Sequence, residues 1–597
     1  MASFELSKNI KVKPEEIALD QSMSILEFQK RILDIADLDC TPLMEKMNYL
    51  KIIDSNIKEF LSIRMPSIIS KWYNIYLEFI SSLYKEMNKI YDKIYTPLLE
   101  KSNFKDSLPH DAGNYTISSL HSGIVYIAYL VNNTLENKWI INIMNHSNPV
   151  NIAPEYKSYF IFKLDGDESI KYDLNGNSIK KQLKDIDDMS QAKDNKVFHF
   201  IIASANKIVV EKALDNLNIK IRDIITAPEN IINIKANIYE LENHNEMNGC
   251  QHKYLPDYFY YQKMNYENAY KNSCILNELN NKNIVIRTPY QSYDTVLQFI
   301  NECCLDPAIH NIFITLYRTA DNSKIVESLE MAAKLKKNVY AYVETLARGN
   351  ERHNTKIAKT LKDAGVHVQD SFKGFKIHAK AFLAIRETEQ HVDVYSHIGT
   401  GNYNEDTAKI YADTHILTSD RPTGYSILNM FKMIFSKENF SLEESNNLFL
   451  SPFNSRSEII NAMQEEIDKG DKGQIYLKCN SLCDTLVIET LKRAAKASVD
   501  IGLIVRTGLS ILPNKNIHVR SKVGRYLEHD RIYLIGDKAY IGSADLLFRN
   551  LDKRIECIYK VNDVNTKVWL RNTFYNIWCG GNIHMLNPET LNWEYLD

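Results

Sequence analysis

The chain has 597 residues, 44% of them hydrophobic, which is enough for several domains with large cores. Its formal net charge of −3 excludes a protein that is basic throughout, so a site for a polyanion must be a local cluster of cations. Nine cysteines without a CxxC pair, no N-terminal leader and no run of about 18 apolar residues predict a cytoplasmic protein with reduced thiols and no membrane span.

The first part of the chain, residues 1–105, is predicted to be an N-terminal helical domain. Apolar side chains recur there at helical spacing, which is typical of the buried face of a helix in a bundle. The repeat consists of Trp72, Tyr76, Phe79, Leu83, Met87, Ile90 and Ile94.

Residues 106–280 change to short β-like runs that are separated by turns rich in Asn and Asp. The runs are 124–131, 139–144, 159–164 and 197–203. Runs of this length and composition predict strands, and we expect a middle domain of the α+β class.

Residues 281–445 alternate apolar strands with helical patterns, and residues 446–597 repeat the same plan. Each copy has a helical segment, an apolar strand followed by an arginine, a histidine two residues before a cation, and a turn of small residues. The arginines are Arg348 and Arg506, the histidine pairs are His378 with Lys380 and His529 with Arg531, and the turns are Ile398–Asn402 and Ile541–Asp545. The shared order predicts an internal duplication of an α/β domain.

The histidine motifs indicate chemistry on phosphate. If Gly374–Lys380 forms a strand, His378 and Lys380 lie on one face, and a nitrogen nucleophile stands beside a fixed cation. A cleft between the two copies would bring His378 and His529 together. One histidine can then attack phosphorus while the second moves protons or stabilises charge.

Several cations are candidates for holding phosphate, and arginine is favoured because it makes two parallel hydrogen bonds. The candidates are Arg318, Arg348, Lys380, Arg506 and Arg531. A run of further cations, from Arg520 to Arg554, surrounds the second histidine and predicts a channel for a polyanion.

Longer motifs accompany the histidines and carry a family resemblance. They are Thr315–Arg318, Glu344–Arg348, Lys376–Lys380, His397–Asn402, Thr407–Asp413, Arg525–Arg531 and Arg549–Asp552. Together they resemble the type-1 polyphosphate kinases, a family of the phospholipase D-like superfamily. The resemblance is dense over residues 285–555, recognisable over 20–105 and thin over 106–280.

The resemblance implies a multidomain α/β fold with an N-terminal helical bundle (1–105), an α+β middle domain (106–280) and two duplicated phospholipase D-like α/β domains (281–445 and 446–597). It implies that His378 becomes phosphorylated and that His529 is a second catalytic histidine. The residues that it assigns to ATP are Gln29, Tyr411, Arg506 and His529. The family has Asn at the position of Gln29.

The resemblance also places Arg318 and Arg348 in the region of phosphate and Mg²⁺. Because a guanidinium cannot ligate a cation, these arginines would hold phosphates that in turn hold the metal. The implied reaction is reversible transfer of the ATP γ-phosphoryl group to inorganic polyphosphate through a phosphohistidine. The implied partners are ATP, ADP and polyphosphate, without nucleic acid. The resemblance suggests a cytoplasmic dimer or tetramer, in a family whose members are sometimes associated peripherally with membranes.

Two other functions share some of these features. A phospholipase D-like phosphodiesterase or nuclease would also use paired histidines, but it usually has His-x-Lys in both halves, whereas the second half here has Arg531. A scaffold that only binds polyphosphate is compatible with Gln29 in place of Asn. The intact His378, His529 and Arg506 argue against it.

Overall fold

The structure, a computed structural model, describes residues 21–63, 72–101, 275–347, 350–370, 374–387, 391–435 and 447–596, with Phe372 and seven short strands between residues 114 and 227. The chain divides into two compact units, one from Ile25 to Tyr254 and one built mainly from Leu255 to Asp597, which also takes in Ser24. Both histidine motifs belong to the second unit. No helix in the described ranges is long and apolar enough to cross a membrane.

Helices and strands are interspersed over residues 275–596, as expected for α/β domains, whereas the described part before residue 228 has three helices followed by seven strands. The helices are α1 (Gln21–Asp37), α2 (Leu43–Ile63), α3 (Trp72–Lys101), α4 (Ile275–Leu279), α5 (Asp294–Leu305), α6 (Lys324–Lys334), α7 (Glu351–Asp363), α8 (Arg421–Phe435), α9 (Ser455–Asp468), α10 (Thr485–Lys496), α11 (Phe548–Lys553) and α12 (Val564–Cys579). The strands up to the first histidine are β1 (Asn114–Tyr115), β2 (Ile124–Asn133), β3 (Glu136–Met144), β4 (Val150–Asn151), β5 (Tyr159–Leu164), β6 (His199–Ala203), β7 (Asp223–Ala227), β8 (Ile284–Thr288), β9 (Ile309–Leu316), β10 (Asn338–Val343), β11 (His367–Gln369) and β12 (Lys376–Ile377). The remaining strands are β13 (Ala381–Glu387), β14 (Val392–Gly399), β15 (Tyr411–Thr418), β16 (Leu448–Leu450), β17 (Gln474–Leu482), β18 (Asp500–Leu509), β19 (Ile517–Lys522), β20 (Leu527–Glu528), β21 (Ile532–Ile535), β22 (Lys538–Gly542), β23 (Arg554–Ile555), β24 (Cys557–Val561), β25 (Ile583–Leu586) and β26 (Trp593–Leu596).

Helices α1 to α3 confirm the predicted N-terminal helical region. The buried members of the predicted apolar repeat on α3 are Tyr76, Phe79, Leu83, Met87 and Ile90. The side chains of Trp72 and Ile94 lie outside the described residues. Because the repeat follows the helical period, one face of α3 is buried from Tyr76 to Ile90.

The middle region contains a five-stranded sheet in the order β3-β2-β5-β6-β7. Its pairs are antiparallel except for the parallel pair of β6 and β7. All four strands expected from the β-like runs are present. The rest of the predicted α+β domain lies outside the described residues.

The second unit is built from two halves with the same topology, residues 275–435 and residues 447–596. The sheet of the first half has the order β11-β10-β9-β13-β14-β15-β8. That of the second half has the order β19-β18-β17-β21-β22-β24-β16, with β25 and β26 added beyond β19. In both, the first three strands are parallel and the others are antiparallel. The predicted duplication is therefore confirmed.

One apolar core lies between the two sheets and belongs to both halves. It includes Leu383 and Ile416 from the first half and Ile532, Ile541 and Tyr559 from the second. Burial of apolar surface is the main favourable term in folding, so this shared core holds the halves together as one body.

Strand register relates the residues of one half to those of the other. Phe382 and Tyr533 each come four residues after their histidine, and they pair with Ile314 and Leu477, respectively. Ile314 and Leu477 therefore occupy equivalent positions in β9 and β17.

The same register shows that the predicted equivalence of Arg348 and Arg506 in the two halves was wrong. Ile314 pairs with Ala341 of β10, and three residues further on is Glu344. In the second half the equivalent position is Arg506, because Leu477 pairs with Leu503. The sequence pattern matched Arg506 with Arg348, whereas the sheet matches it with a carboxylate.

The strand predicted over Gly374–Lys380 is only partly right. Strand β12 ends at Ile377, and a new strand begins at Ala381. The N–H groups of His378 and Ala379 both donate to the carbonyl oxygen of Ile555, at 2.8 and 3.0 Å. Two successive donors on one acceptor break the regular ladder, in which alternate residues bond to the same neighbour.

Candidate active site

The two histidine segments each pair with a strand of the other half. Strand β12 runs parallel to β23, and β20 runs parallel to β15. The N–H of His378 donates to the carbonyl oxygen of Ile555 at 2.8 Å, and the N–H of His529 donates to that of Ala412 at 3.0 Å. The crossed pairing gives the two histidines equivalent positions in the two halves.

His378 is oriented by a carboxyl group of the other half. Its Nδ1 lies 2.8 Å from Oε2 of Glu556, which is fully buried. In a neutral imidazole this contact assigns the proton to Nδ1 and leaves the lone pair on Nε2. Burial lowers the pKa of His378 well below its usual value, and the charges of Lys380 and Arg554 lower it further. His378 is therefore neutral near pH 7, with Nε2 as an available nucleophile.

Lys380 provides the cation beside this nucleophile. It is buried, and its Nζ donates to the carbonyl oxygen of His378. The ring of Tyr317 packs against both, with its centre 4.6 Å from that of the imidazole and 5.4 Å from Nζ. Burial lowers the pKa of Lys380 to about 7, with Glu556 opposing the shift and Arg531 adding to it. An anion bound here would raise this pKa again.

His529 repeats the arrangement with the halves exchanged. Its Nδ1 lies 2.8 Å from Oδ1 of Asp413 in the first half, and Thr400 Oγ1 donates to the same oxygen at 2.6 Å. Burial lowers the pKa of His529 to about 4, although Asp413 opposes the shift. Burial would raise the pKa of Asp413, but His529 and Thr400 hold it well below its usual value.

The cations that follow the two histidines differ in how their charge is balanced. Arg531 makes a bidentate contact with Asp545, at 3.2 Å from Nε to Oδ1 and 2.9 Å from Nη2 to Oδ2. The first-half residue at the same place in the turn is Asn402, which is neutral. The turn therefore neutralises Arg531 but leaves Lys380 without such a carboxylate.

Arg506 and Tyr411 lie on the side of the site that His529 occupies. The ring centres of Tyr411 and His529 are 5.3 Å apart, with the planes tilted by 55°. Burial lowers the pKa of Arg506, while Tyr411 opposes the shift and Arg531 adds to it. The three predicted residues Arg506, Tyr411 and His529 thus come together, and Arg531 joins them.

The other predicted residues have different positions. The guanidinium of Arg318 lies 6.0 Å from the ring centre of Tyr317, the ring that packs on His378. Gln29 belongs to the first unit, where its Oε1 accepts a 2.9 Å bond from Asn56 Nδ2. Arg348 lies outside the described residues.

The predicted channel of cations between Arg520 and Arg554 is divided in the described structure. Arg520 stacks on Trp578 at 4.3 Å, and Lys522 donates to the carbonyl oxygen of Gly581 at 2.6 Å. Arg554 alone among these three points towards the histidines, since it lies 3.7 Å from the carboxylate that holds His378.

The acidic partners of the histidines were missed in the sequence. Asp413 comes thirteen residues after Thr400, and Glu556 comes thirteen residues after the equivalent Ser543. This shared spacing of a carboxylate behind the hydroxyl of each turn is the signal that could have found them.

Glu344 was quoted only as part of a motif, but it supports the nucleophile. Its buried carboxylate accepts the N–H of Ile377 at 2.9 Å and that of Leu346 at 3.2 Å. Burial raises the pKa of Glu344, although these two N–H groups oppose the shift. One side chain therefore ties the residue before His378 to the loop that leads towards Arg348.

Gly401 permits the close approach of the first turn to Asp413. A Cβ at this position would lie 2.3 Å from Asp413 Oδ2, which is far inside van der Waals contact. The turn predicted to shape the site therefore does so by leaving room for the carboxylate that orients His529.

The described residues do not fit a magnesium ion held by the protein. They contain no group of three or more His, Cys, Asp or Glu side chains that could hold a metal. Three of the buried carboxylates, Glu556, Asp413 and Asp545, are each engaged by a histidine or by Arg531, and Glu344 accepts two backbone N–H groups. An Mg²⁺ ion here would have to arrive on the phosphates of a substrate, which is a common mode for this cation.

Sequence models of one family match most of the chain. The polyphosphate kinase N-terminal domain matches residues 18–105, the C-terminal domain 1 matches 274–440, and the C-terminal domain 2 matches 448–591. The chain belongs to the polyphosphate kinase family. The two C-terminal matches cover the two halves that carry the crossed histidine pairs.

Individual relatives agree with this assignment. The polyphosphate kinase of Mycolicibacterium gilvum is 38% identical over 332 residues, which cover 54% of this chain and 44% of the relative. That of Yersinia pestis is 39% identical over 298 residues, which cover 48% of this chain and 43% of the relative. The chain thus matches less than half the length of these curated relatives.

A solved structure supports the fold over nearly the whole chain. The polyphosphate kinase of Porphyromonas gingivalis superimposes with a TM-score of 0.77 over 97% of this chain and 95% of that one, at 21% sequence identity. The fold of this chain is therefore that of a polyphosphate kinase.

We expect Gly401→Ala to destabilise the protein, because the new Cβ would clash with Asp413. Overpacking of this kind costs about 1–3 kcal/mol of unfolding free energy. Urea denaturation followed by circular dichroism measures the loss. The matched control is Gly581→Ala, whose Cβ would meet nothing within 4 Å. Equal stability of the two variants would contradict the close contact.

We expect the stability of the protein to fall as the pH is lowered from 6.5 to 5. Burial lowers the pKa of His378, His397, His415 and His529 in the folded state, those of the last two to about 4. The unfolded chain therefore binds more protons in this window, and each buried histidine costs about 1–2 kcal/mol between the two pH values. Urea denaturation at each pH tests this, and a constant or rising free energy of unfolding would contradict it.

Proposed function

We propose that this chain is an ATP:polyphosphate phosphotransferase that moves the γ-phosphoryl group of ATP to the end of inorganic polyphosphate through phospho-His378. The observation that carries the proposal is the bond from His378 Nδ1 to Glu556, which leaves Nε2 as the nucleophile beside Lys380. Membership in the polyphosphate kinase family supports the choice of substrates.

In the first step, Nε2 of His378 attacks the γ-phosphorus of ATP. A P–N bond forms, the bond from the γ-phosphorus to the bridging oxygen breaks, and ADP leaves with the electron pair. Glu556 accepts the Nδ1–H bond throughout and stabilises the positive charge that develops on the ring. Lys380 stabilises the charge on the equatorial oxygens.

In the second step, a terminal oxygen of polyphosphate attacks the phosphorus of phospho-His378. The P–N bond breaks, its electron pair returns to Nε2, and the polymer is one phosphate longer. His529, whose Nδ1 is held by Asp413, exchanges a proton at Nε2 with a phosphate oxygen as the reaction runs in either direction. The anionic substrate would raise the pKa of His529 from its low resting value.

We propose that the nucleotide binds on the His529 side. Tyr411 would stack on the adenine and Arg506 would contact phosphates, in keeping with their position beside His529. Arg318, Arg348, Lys380 and Arg531 would hold the phosphates in transfer. A contact of Gln29 with ATP remains a proposal from the family resemblance.

Mg²⁺ would enter as the complex of ATP or ADP, held by phosphates rather than by carboxylates of this chain. Arg318 and Arg348 would then touch the metal only through those phosphates. A homodimer or homotetramer, a cytoplasmic location and peripheral membrane association are likewise proposals that rest on the family.

We expect wild-type protein incubated with Mg²⁺ and ATP labelled in the γ-phosphate to acquire a label that is lost in acid and retained in base, as for phosphohistidine. His378→Ala should remove the label, because His529, which has the equivalent arrangement with Asp413, is proposed to exchange protons and not to take up the phosphoryl group. His529→Ala should slow labelling by about 10²–10⁴-fold, the usual contribution of a proton-transfer group. Accumulation of polyphosphate is measured in parallel.

The alternatives give other results in the same assay. Hydrolysis of a phosphodiester without any need for ATP would identify a phosphodiesterase and overturn the proposal. Tight binding of polyphosphate without labelling or turnover would identify a scaffold.

We expect Glu556→Gln to lower the rate of labelling by about 10²-fold or more, because an amide holds the imidazole less firmly and cannot balance its charge. The matched control is Glu466→Gln. Glu466 is also buried and accepts a backbone N–H, that of Gln474 at 3.1 Å, outside the site. Similar labelling rates in the two variants would show that Glu556 has no part in the reaction.

A further inference from the structure

Four buried charges surround the His529 segment and take no direct part in the reaction described above. They are Arg287, Lys478, Glu528 and Asp530, and we call them the four-charge cluster. Each side chain is at most 5% exposed. The two acidic members are the immediate chain neighbours of His529.

The contacts within the cluster are close and reciprocal. Arg287 Nε lies 2.8 Å from Asp530 Oδ2, and its Nη2 donates to Glu528 Oε2. Lys478 Nζ lies 3.1 Å from Glu528 Oε2, and it also donates to a carboxylate oxygen of Asp530. Burial would raise the pKa of Glu528 and of Asp530, but Arg287 and Lys478 lower both, so the two carboxylates are ionised.

The cluster connects the two halves, because Arg287 belongs to β8 of the first half. It also reaches the imidazole of His529 by a chain of hydrogen bonds. Asp530 Oδ2 accepts from Thr414 Oγ1 at 3.1 Å, and the N–H of Thr414 donates to Thr400 Oγ1 at 3.0 Å. Thr400 donates to Asp413, which holds His529 Nδ1. The main chain and the ring of His529 are thus fixed by one network.

The equivalent positions around His378 carry no such charges. Register and spacing from the histidines match Arg287, Lys478, Glu528 and Asp530 with Leu450, Thr315, Ile377 and Ala379, respectively. Thr315 Oγ1 donates to the carbonyl oxygen of Ala379 at 2.7 Å, and Lys478 does the same for Asp530 at 3.3 Å. A hydroxyl is therefore enough to hold the backbone at this place.

Stability alone does not explain the cluster. Buried charges lose their hydration, and replacing a buried ion network by well-packed apolar side chains is often neutral or stabilising. The equivalent places around His378 contain an uncharged solution, made of Leu450, Thr315, Ile377 and Ala379. The charges are more costly than their apolar equivalents, which points to a task that belongs to His529.

We propose that Arg287 and Lys478, through Glu528 and Asp530, are positioning residues that fix His529 for proton exchange during phosphoryl transfer. The proposal rests on the function proposed above, in which His529 acts at Nε2. Arg287 acts from the other half, so the position of His529 depends on the correct docking of the two halves.

The experiment compares Arg287→Met with Arg287→Lys in the full chain. We expect Arg287→Met to lower kcat for polyphosphate synthesis by about 10- to 100-fold, since small misplacements of a catalytic group have effects of this size. KM for ATP should change by less than about threefold, because a positioning defect does not remove a ground-state contact. Arg287→Lys should recover part of the rate.

The matched control is Arg456→Met. Arg456 also joins two carboxylates of the second half, Asp484 and Asp552, away from the histidines. Its loss should lower the thermal stability and leave kcat within about twofold of wild type, as expected for a structural ion pair.

A double-mutant cycle separates positioning of His529 from a general effect on the fold. In a His529→Ala background, Arg287→Met should slow the labelling of His378 by less than about twofold, because the group on which it acts is gone. If Arg287→Met slowed the labelling of His378 by the same factor with His529 present and with His529→Ala, the proposal would be overturned. A wild-type kcat in Arg287→Met would overturn it as well.

A second variant keeps the test valid if Arg287→Met does not fold. It carries, at all four positions, the residues found at the equivalent places around His378: Arg287→Leu, Lys478→Thr, Glu528→Ile and Asp530→Ala. A folded variant with kcat lowered by about 10-fold or more supports the proposal, since misplacement of His529 is then the remaining cause. A folded variant with the wild-type kcat overturns it. Failure of the wild-type protein to form phosphohistidine would instead refute the proposed function.

Discussion

The active site depends on the exchange of acidic partners between the two halves. His378 is held by Glu556 and His529 by Asp413, and in each pair the histidine and the carboxylate come from different copies of the duplicated domain. The backbone repeats the exchange, because β12 pairs with β23 and β20 pairs with β15. Neither half could orient its own histidine, so the site exists only when both halves are folded and docked.

The shared apolar core supplies the energy for this docking. Side chains from both sheets interleave there, and burial of their surface stabilises the assembly without specifying any chemistry. The polar groups at the rim of the core then fix the geometry. They are costly to bury unless paired, and Glu556, Asp413, Asp530 and Asp545 each have a histidine, an arginine or a lysine as a partner.

The duplication has produced two unequal histidines. Around His378 the neighbours in the chain are apolar, and Lys380 lacks the turn carboxylate that Arg531 has in Asp545. The first half therefore offers positive charge to an incoming phosphate. Around His529 the charges are balanced, and the four-charge cluster holds the segment. This division suits a reaction in which one histidine takes up the phosphoryl group and the other stays in place to move a proton.

The amino-acid sequence by itself determined the duplication, the strand and helix alternation, the two histidines and the family. These features are local, since they rest on short motifs and on the period of apolar residues. Asn402 and Asp545 could also be compared directly once the two turns were aligned.

Only the tertiary structure decided which groups face one another. Glu556 is 178 residues from His378 along the chain, and a local sequence pattern does not show that two such distant residues are in contact. The sequence also paired Arg506 with Arg348, because both follow an apolar strand, whereas the register of the sheet pairs it with Glu344. Strand pairing sets register by hydrogen bonds between distant segments, so a motif alone could not reveal it.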